Sequence, residues 1–297
     1  MRLSFCAIIE MVKYMKKIIG DNFSKDSKYK LYRTIYEIIH PTISKRNISN
    51  YKIVLDDKFY PVVAYYPKKI SNLSSAIIYV PGDGMVSNCY GKYDDICKNL
   101  ALNTNKLVIA IDYFDDKVKY PTTINKCCKL IDFLVAEFEK NGISKDNIVL
   151  MGDSTGCGIL ASVVSKMKDE KKYFSKMVLF YPVIRNNYDD YEWNESLLNL
   201  NFNLEKRISN YLKKYISKTD KFCDLIGESD FSLFPKTLVI GGEMDLLKED
   251  GILLIEKMKK FVDDCRFHNI MYASHGFLNG NDEIMLEEAY KVIKDFV

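Results

Sequence analysis

The chain lacks the usual signs of a metal protein, a membrane protein or a nucleic-acid binder. Its eight cysteines (Cys6, Cys89, Cys97, Cys127, Cys128, Cys157, Cys223 and Cys265) include no C-x-x-C pair, so zinc spacing is absent and no disulfide framework is legible. Scattered among mostly apolar neighbours, they read as small buried hydrophobes in a reducing compartment, which places the protein in the cytoplasm. No stretch reaches the roughly 18 apolar residues of a membrane span. The opening "MRLSFCAII" is followed by Lys13, Lys16 and Lys17 rather than by a small-residue cleavage site, so neither a signal peptide nor a stable membrane anchor is expected. The net charge of +3, from 43 basic and 40 acidic residues, is too mild for a nucleic-acid partner, and no dense basic stripe with interleaved aromatics occurs. The most basic run, "EKRISNYLKKYISK" (Glu205 to Lys218), reads as an amphipathic helix with a solvated face. Nothing in the sequence fixes an oligomeric state.

What is present is an alternation of strands and helices. After a helical N-terminal region, "YKIVL" and "YPVVAYY" read as a hairpin with "DDKF" as its turn. "SAIIYV", "KLVIAIDY", "NIVLMG", "SKMVLFYPV" and "KTLVIGG" are continuous apolar runs of strand length, and "RFHNIMY" is the last strand. Helical stretches separate them: Tyr93 to Thr104, the segment from Pro121 to Gly142, "TGCGILASVVSKMKD", and the final "DEIMLEEAYKVIKDF". Apolar strands alternating with helices predict an α/β fold: a mostly parallel central sheet with helices on both faces and an antiparallel edge. One segment interrupts the alternation. Residues 184–230 carry a Trp-containing loop and one helix, and loops of that length are usually functional. The predicted organisation is therefore a main domain over residues 46–297, a helical cap formed by the insertion 184–230, and a cap contribution from residues 1–45.

The segment Gly152-Asp153-Ser154-Thr155-Gly156 falls between a strand and a helix. A lone G-x-S-x-G is a weak signal, but this position is where a sharp strand-to-helix turn would present a serine hydroxyl at the top of the sheet. Serine is a weak nucleophile and needs a base held by an acid. Of the three histidines, His40 precedes Pro41 in the N-terminal region and His268 sits mid-strand, where a structural or solvent-facing role is expected. His275 follows the last strand in a loop, where catalysis gathers in α/β sheets. The acid should lie between Ser154 and His275 at a strand end. Asp245 in "LVIGGEMDLLKEDG" fits, with Glu243 as rival; Glu249 and Asp250 begin the next helix and read as structural. The loop "YVPGDGMV" after the third strand can turn backbone amides inward, because Gly82 and Gly84 carry no side chain in the way.

Taken together and in this order, these stretches resemble the hormone-sensitive-lipase-like branch of the α/β-hydrolases. That branch carries H-G-G-G after its third strand, a D-Y-R-L-A-P-E-like segment, G-D-S-A-G, an acid in D-P-L and a final histidine. The corresponding stretches here are Pro81-Gly82-Asp83-Gly84, "IDYFDDKVKYP" (Ile111 to Pro121), Gly152 to Gly156, "EMDLL" (Glu243 to Leu247) and His275, and the likeness covers roughly residues 50–297. Two positions depart from the pattern: Pro81 replaces the family's histidine, and Asp83 its middle glycine.

The resemblance implies an α/β-hydrolase fold. It also implies a carboxylester hydrolase with Ser154 as nucleophile, Asp245 as orienting acid and His275 as general base. The amides of Asp83, Gly84 and Thr155 would form the oxyanion hole, with no metal and no organic cofactor. The expected partner is a small-molecule ester with a short to medium acyl chain. A peptidase or transacylase using the same triad, or a non-catalytic ligand-binding protein on the same fold, are the alternatives.

Overall fold

In the computed structural model, eight strands form one sheet in the order β1-β2-β4-β3-β5-β6-β7-β8. The structure describes residues 48–55, 58–68, 73–82, 93–113, 120–140, 142–168, 174–198, 203–216 and 224–297. The expected N-terminal helical region and cap contribution, His40, and the loop residues Asp83 and Gly84 lie outside them.

β1 (Ile48–Leu55) and β2 (Lys58–Tyr65) are the antiparallel edge. Leu55 pairs with Lys58, so two residues separate the strands rather than the four of "DDKF". β2 runs antiparallel to β4 (Leu107–Ile111). From β4 onward the pairs β4–β3 (Ala76–Val80), β3–β5 (Ile148–Asp153), β5–β6 (Lys176–Phe180), β6–β7 (Lys236–Gly242) and β7–β8 (Cys265–Ile270) are all parallel.

Every residue of β3, β4 and β5 is buried, which is why their sequences are continuous apolar runs without polar alternation. The period-2 pleat still sorts them. Ala76, Ile78 and Val80 join one apolar cluster, and Ile77 and Tyr79 the other.

The first cluster is covered by three helices, α2 (Thr122–Lys140), α3 (Thr155–Lys168) and α6 (Lys248–Met258). α2 contributes Ile124, Cys127, Cys128, Ile131 and Leu134 at helical spacing. It ends as the sequence suggests, with Gly142 at φ +85° and Ile143 N–H donating to Phe138 O at 2.9 Å. The second cluster is covered by α1 (Asp94–Thr104) and α7 (Glu283–Phe296). Asp282 caps α7 by accepting the Met285 N–H at 3.1 Å. Each fully buried Ile, Leu or Val contributes roughly 1.5–3 kcal/mol, so truncating Ile78 to Ala should cost about 2–5 kcal/mol.

The 184–230 insertion holds two helices among its described residues rather than the single one expected: the short α4 (Glu195–Leu198) and α5 (Leu204–Tyr215). Leu204, Ile208, Tyr211 and Leu212 line one face of α5 and join the first cluster, as do Tyr188 and Leu225. Tyr188, Tyr191 and Trp193 pack ring against ring at 4.7–5.7 Å between centroids. The insertion is also tied down electrostatically. Arg185 shares its Nε–H between the two oxygens of the buried Asp250 carboxylate and donates a further hydrogen bond from Nη2, at 2.7–2.9 Å. Asp250 therefore does more than complement the α6 dipole. Burial pushes its carboxyl up from the ordinary value, against the pull of the Arg185 hydrogen bonds.

The five described cysteines, Cys97, Cys127, Cys128, Cys157 and Cys265, are free and buried, in keeping with their reading as small hydrophobes. No helix among the described residues is long and apolar enough to cross a membrane.

Candidate active site

The last residue of β5 is Asp153 and the first of α3 is Thr155; Ser154 forms the turn between them at φ +49°. A non-glycine residue in this region is strained and must be held by its neighbours. Ser154 N–H donates to Phe180 O at 2.9 Å, and Ser154 O accepts the N–H groups of Cys157 at 3.1 Å and Val183 at 3.0 Å.

The motif glycines are required by close approach. A Cβ on Gly156 would lie 2.2 Å from Val80 O and 2.8 Å from the Pro81 carbonyl; one on Gly82 would lie 2.6 Å from Asp153 O and 3.0 Å from Ser154 Cβ. The exit of β3 thus rests directly on the serine turn, backbone against backbone.

Two loops complete the site. The loop after β7 carries Asp245 and the loop after β8 carries His275. They are fastened by backbone bonds from Glu243 N–H to Ile270 O and from Met244 N–H to Ala273 O, both 2.9 Å. His275 Nε2 lies 2.9 Å from Ser154 Oγ, and His275 Nδ1 lies 3.1 and 3.2 Å from the two Asp245 oxygens. A carboxylate only accepts, so the ring proton belongs on Nδ1 and leaves Nε2 free to accept the serine proton. Asp245 Oδ1 also accepts the Leu247 N–H at 2.9 Å, which holds the acid in place. The side chains of His275 and Asp245 are 10% and 1% exposed, so the pair is screened little by water. The Tyr181 ring stands edge-on to His275 at 5.0 Å, with Phe277 behind it at 5.3 Å.

The structure thus brings together the three side chains singled out from the sequence and gives Glu243 and His268 other partners. Glu243 Oε2 accepts the N–H of Tyr272, a residue at φ +59° three positions before His275. His268 pairs with Glu288 at 2.7 Å on the half-exposed side of β8. Thr155 is buried at the start of α3, beside Ser154.

Residues that sequence reasoning missed are Asp153, Tyr113 and Arg185. Asp153 Oδ1 accepts the Tyr79 hydroxyl and the Gly82 N–H, both at 2.8 Å, and the Tyr113 hydroxyl donates to Pro81 O at 2.5 Å. The available signal was the placement of an acid in the serine turn and of a tyrosine in "IDYF". Among the described residues no group of three or more His, Cys, Asp or Glu could hold a metal ion. A groove of about 990 Å³ runs between α6 and the 185–197 stretch; it touches Asp245 and Glu243 but is lined by neither Ser154 nor His275.

The chain is similar to known proteins. Residues 77–279 match the profile of a family described by its alpha/beta hydrolase fold. The vegetative-specific protein H5 of Dictyostelium discoideum is 24% identical over 267 residues, covering 84% of this chain and 78% of that protein. An arylesterase of Saccharolobus solfataricus is 24% identical over 249 residues, covering 81% and 80%. Among solved structures, a hyperthermophilic esterase from the archaeon Pyrobaculum calidifontis superposes with a TM-score of 0.75 at 20% identity, covering 99% of this chain and 97% of that one, a likeness of fold. The profile takes in the third strand, the serine turn, both flanking loops and His275, and the chain belongs to the α/β-hydrolase family, in its hormone-sensitive-lipase-like branch.

Proposed function

We propose that this protein is a carboxylic ester hydrolase that works through Ser154, His275 and Asp245 on small esters of short to medium acyl chain. The observation that carries the reading is the continuous chain of contacts, serine to imidazole to buried carboxylate, at 2.9 and 3.1 Å. The names of the similar arylesterase and of the ethyl acetate hydrolase of Pseudomonas putida support an ester as the substrate.

Ser154 Oγ adds to the ester carbonyl carbon while its proton passes to His275 Nε2. Asp245 stabilises the resulting imidazolium and keeps the ring oriented. Backbone amides of Thr155, Asp83 and Gly84 are the proposed donors to the tetrahedral oxyanion. Collapse breaks the bond to the alcohol oxygen, which takes the proton from His275. Water then adds to the acyl-enzyme, giving a proton to the same nitrogen. The carboxylic acid leaves as Ser154 Oγ recovers it. Each of these steps uses side chains and backbone amides of this chain.

The insertion 184–230 serves in this reading as the cap. The aromatic cluster of Tyr188, Tyr191 and Trp193 and the apolar face of α5 pack the insertion onto the first cluster of the sheet.

The test is a panel of p-nitrophenyl esters of rising acyl length, run beside aminoacyl anilides, with a fluorophosphonate probe. Ester turnover with labelling of Ser154, and a fall on the order of 10³ or more in Ser154→Ala, is expected. Labelling elsewhere, or turnover retained in the variant, overturns the assignment.

A further inference from the structure

Asp245 can orient His275 only if the carboxylate is itself held, and what holds it leads back into the insertion. Asp245 Oδ1, 3.2 Å from His275 Nδ1, accepts the Leu247 N–H at 2.9 Å. That N–H shares a peptide plane with the Leu246 carbonyl, and in a trans peptide the two groups point in opposite directions. The buried Leu246 carbonyl accepts the Tyr191 hydroxyl at 3.1 Å. One rigid plane is therefore gripped on both sides, by the acid through its N–H and by Tyr191 through its oxygen. A hydrogen bond to a peptide oxygen also polarises the peptide and strengthens the bond its N–H donates.

Tyr191 is well placed to do this, although it lies 55 residues before Leu246 in the chain. Its ring packs against Tyr188 at 5.1 Å and Trp193 at 4.7 Å between centroids, and the Arg185 guanidinium lies 5.3 Å from its centre. Arg185 is in turn fastened to Asp250 on α6, the helix that follows the acid loop. Just upstream, Val183 N–H donates to Ser154 O at 3.0 Å. The stretch that carries Tyr191 is thus pinned both to the serine turn and to α6. Burial first, and then the Asp250 charge, raise the Tyr191 phenol above its ordinary value, so it remains a neutral donor.

We infer that Tyr191 is a positioning residue for the acid: its hydroxyl fixes the Leu246–Leu247 peptide, whose N–H sets the Asp245 carboxylate against His275. This rests on the ester-hydrolase reading. Tyr191 lines the groove that touches Asp245 but that neither Ser154 nor His275 lines, so its effect on the reaction runs through the acid. The insertion is thereby coupled to the proton transfer at a distance from the nucleophile.

The experiment measures kcat and KM on one short-chain p-nitrophenyl ester for wild type, Tyr191→Phe, Asp245→Ala and the double variant. Tyr191→Phe keeps the ring and its packing and removes only the hydroxyl. It should lower kcat about tenfold with KM within about twofold. In the Asp245→Ala background the same substitution should change kcat by less than about twofold, because the acid through which it acts is gone; a role in packing alone would carry its loss over undiminished. Proton NMR adds a readout that needs no turnover. The His275 Nδ1 proton, held far downfield by its bond to the carboxylate, should move upfield and exchange faster with water in Tyr191→Phe. This decides the matter even where Asp245→Ala does not fold or is too slow to assay. Wild-type kcat in Tyr191→Phe overturns the inference, as does a loss confined to KM, an equal loss in the Asp245→Ala background, or an unmoved Nδ1 resonance. A wild-type protein that hydrolyses no ester overturns the underlying reading instead.

Discussion

Two histidines seven residues apart in the chain are each paired with a carboxylate, and their fates differ. His268 on β8 meets Glu288 at 2.7 Å, with the two side chains 34% and 39% exposed. His275, in the loop beyond, meets Asp245 at 3.1 Å with side chains 10% and 1% exposed. The shorter contact belongs to the pair with no nucleophile beside it. What distinguishes the second pair is its surroundings: Ser154 Oγ lies at the other ring nitrogen, water is largely excluded, and the Leu247 N–H fixes the acid. The same two functional groups make a solvent-screened surface contact in one place and, in the proposed mechanism, an oriented general base in the other.

The comparison can be broken most directly at the histidines themselves. His275→Ala should lower kcat on a short-chain p-nitrophenyl ester by about 10³ or more, while His268→Ala should leave it within about twofold. Comparable losses in the two variants would erase the distinction. The acids give the next largest effect. Asp245→Asn places an amide where the imidazole needs an acceptor, and kcat should fall on the order of 10³ or more.

Glu243, two residues away, sharpens the point because it acts on the Tyr272 backbone rather than on His275. Glu243→Gln retains an acceptor for that N–H and should stay close to wild type. Glu243→Ala frees the turn leading to His275 and should cost about tenfold in kcat. If Glu243→Gln proves as damaging as Asp245→Asn, the choice of acid is wrong. The smallest effect concerns stability. A double-mutant cycle on His268 and Glu288 should give a coupling below about 1 kcal/mol that shrinks as salt is added.

Much of this was legible in the sequence because the information is local. β3, β4 and β5 are buried on both faces, so their sequences are unbroken apolar runs with turn residues at their ends. Ser154 follows a strand directly, Asp245 and His275 lie in the loops just after β7 and β8, and their order along the chain narrows the roles proposed for them. What was not legible depends on partners remote in sequence. Asp153 matches the acid of the G-D-S-A-G pattern, but nothing local reports that Tyr79, 74 residues earlier, and Gly82, 71 residues earlier, donate to it. Asp250 reads as a helix-dipole acid until Arg185, 65 residues before it, is seen to grip it. Glu243 reads as a rival to Asp245 because composition and spacing do not say which way a carboxylate points.

The spread of the site along the chain governs how activity returns after denaturation. Ser154 and His275 are 121 residues apart, and Tyr79 and Asp153 are 74 apart. Each contact is reached only through the lateral pairing of parallel strands, whose loop-closure entropy makes them slow to form. The helices depend on neighbouring residues and form early. During refolding, helical circular dichroism should therefore recover well before hydrolysis does, and the interval between the two reports the time the sheet takes to close from β3 to β8.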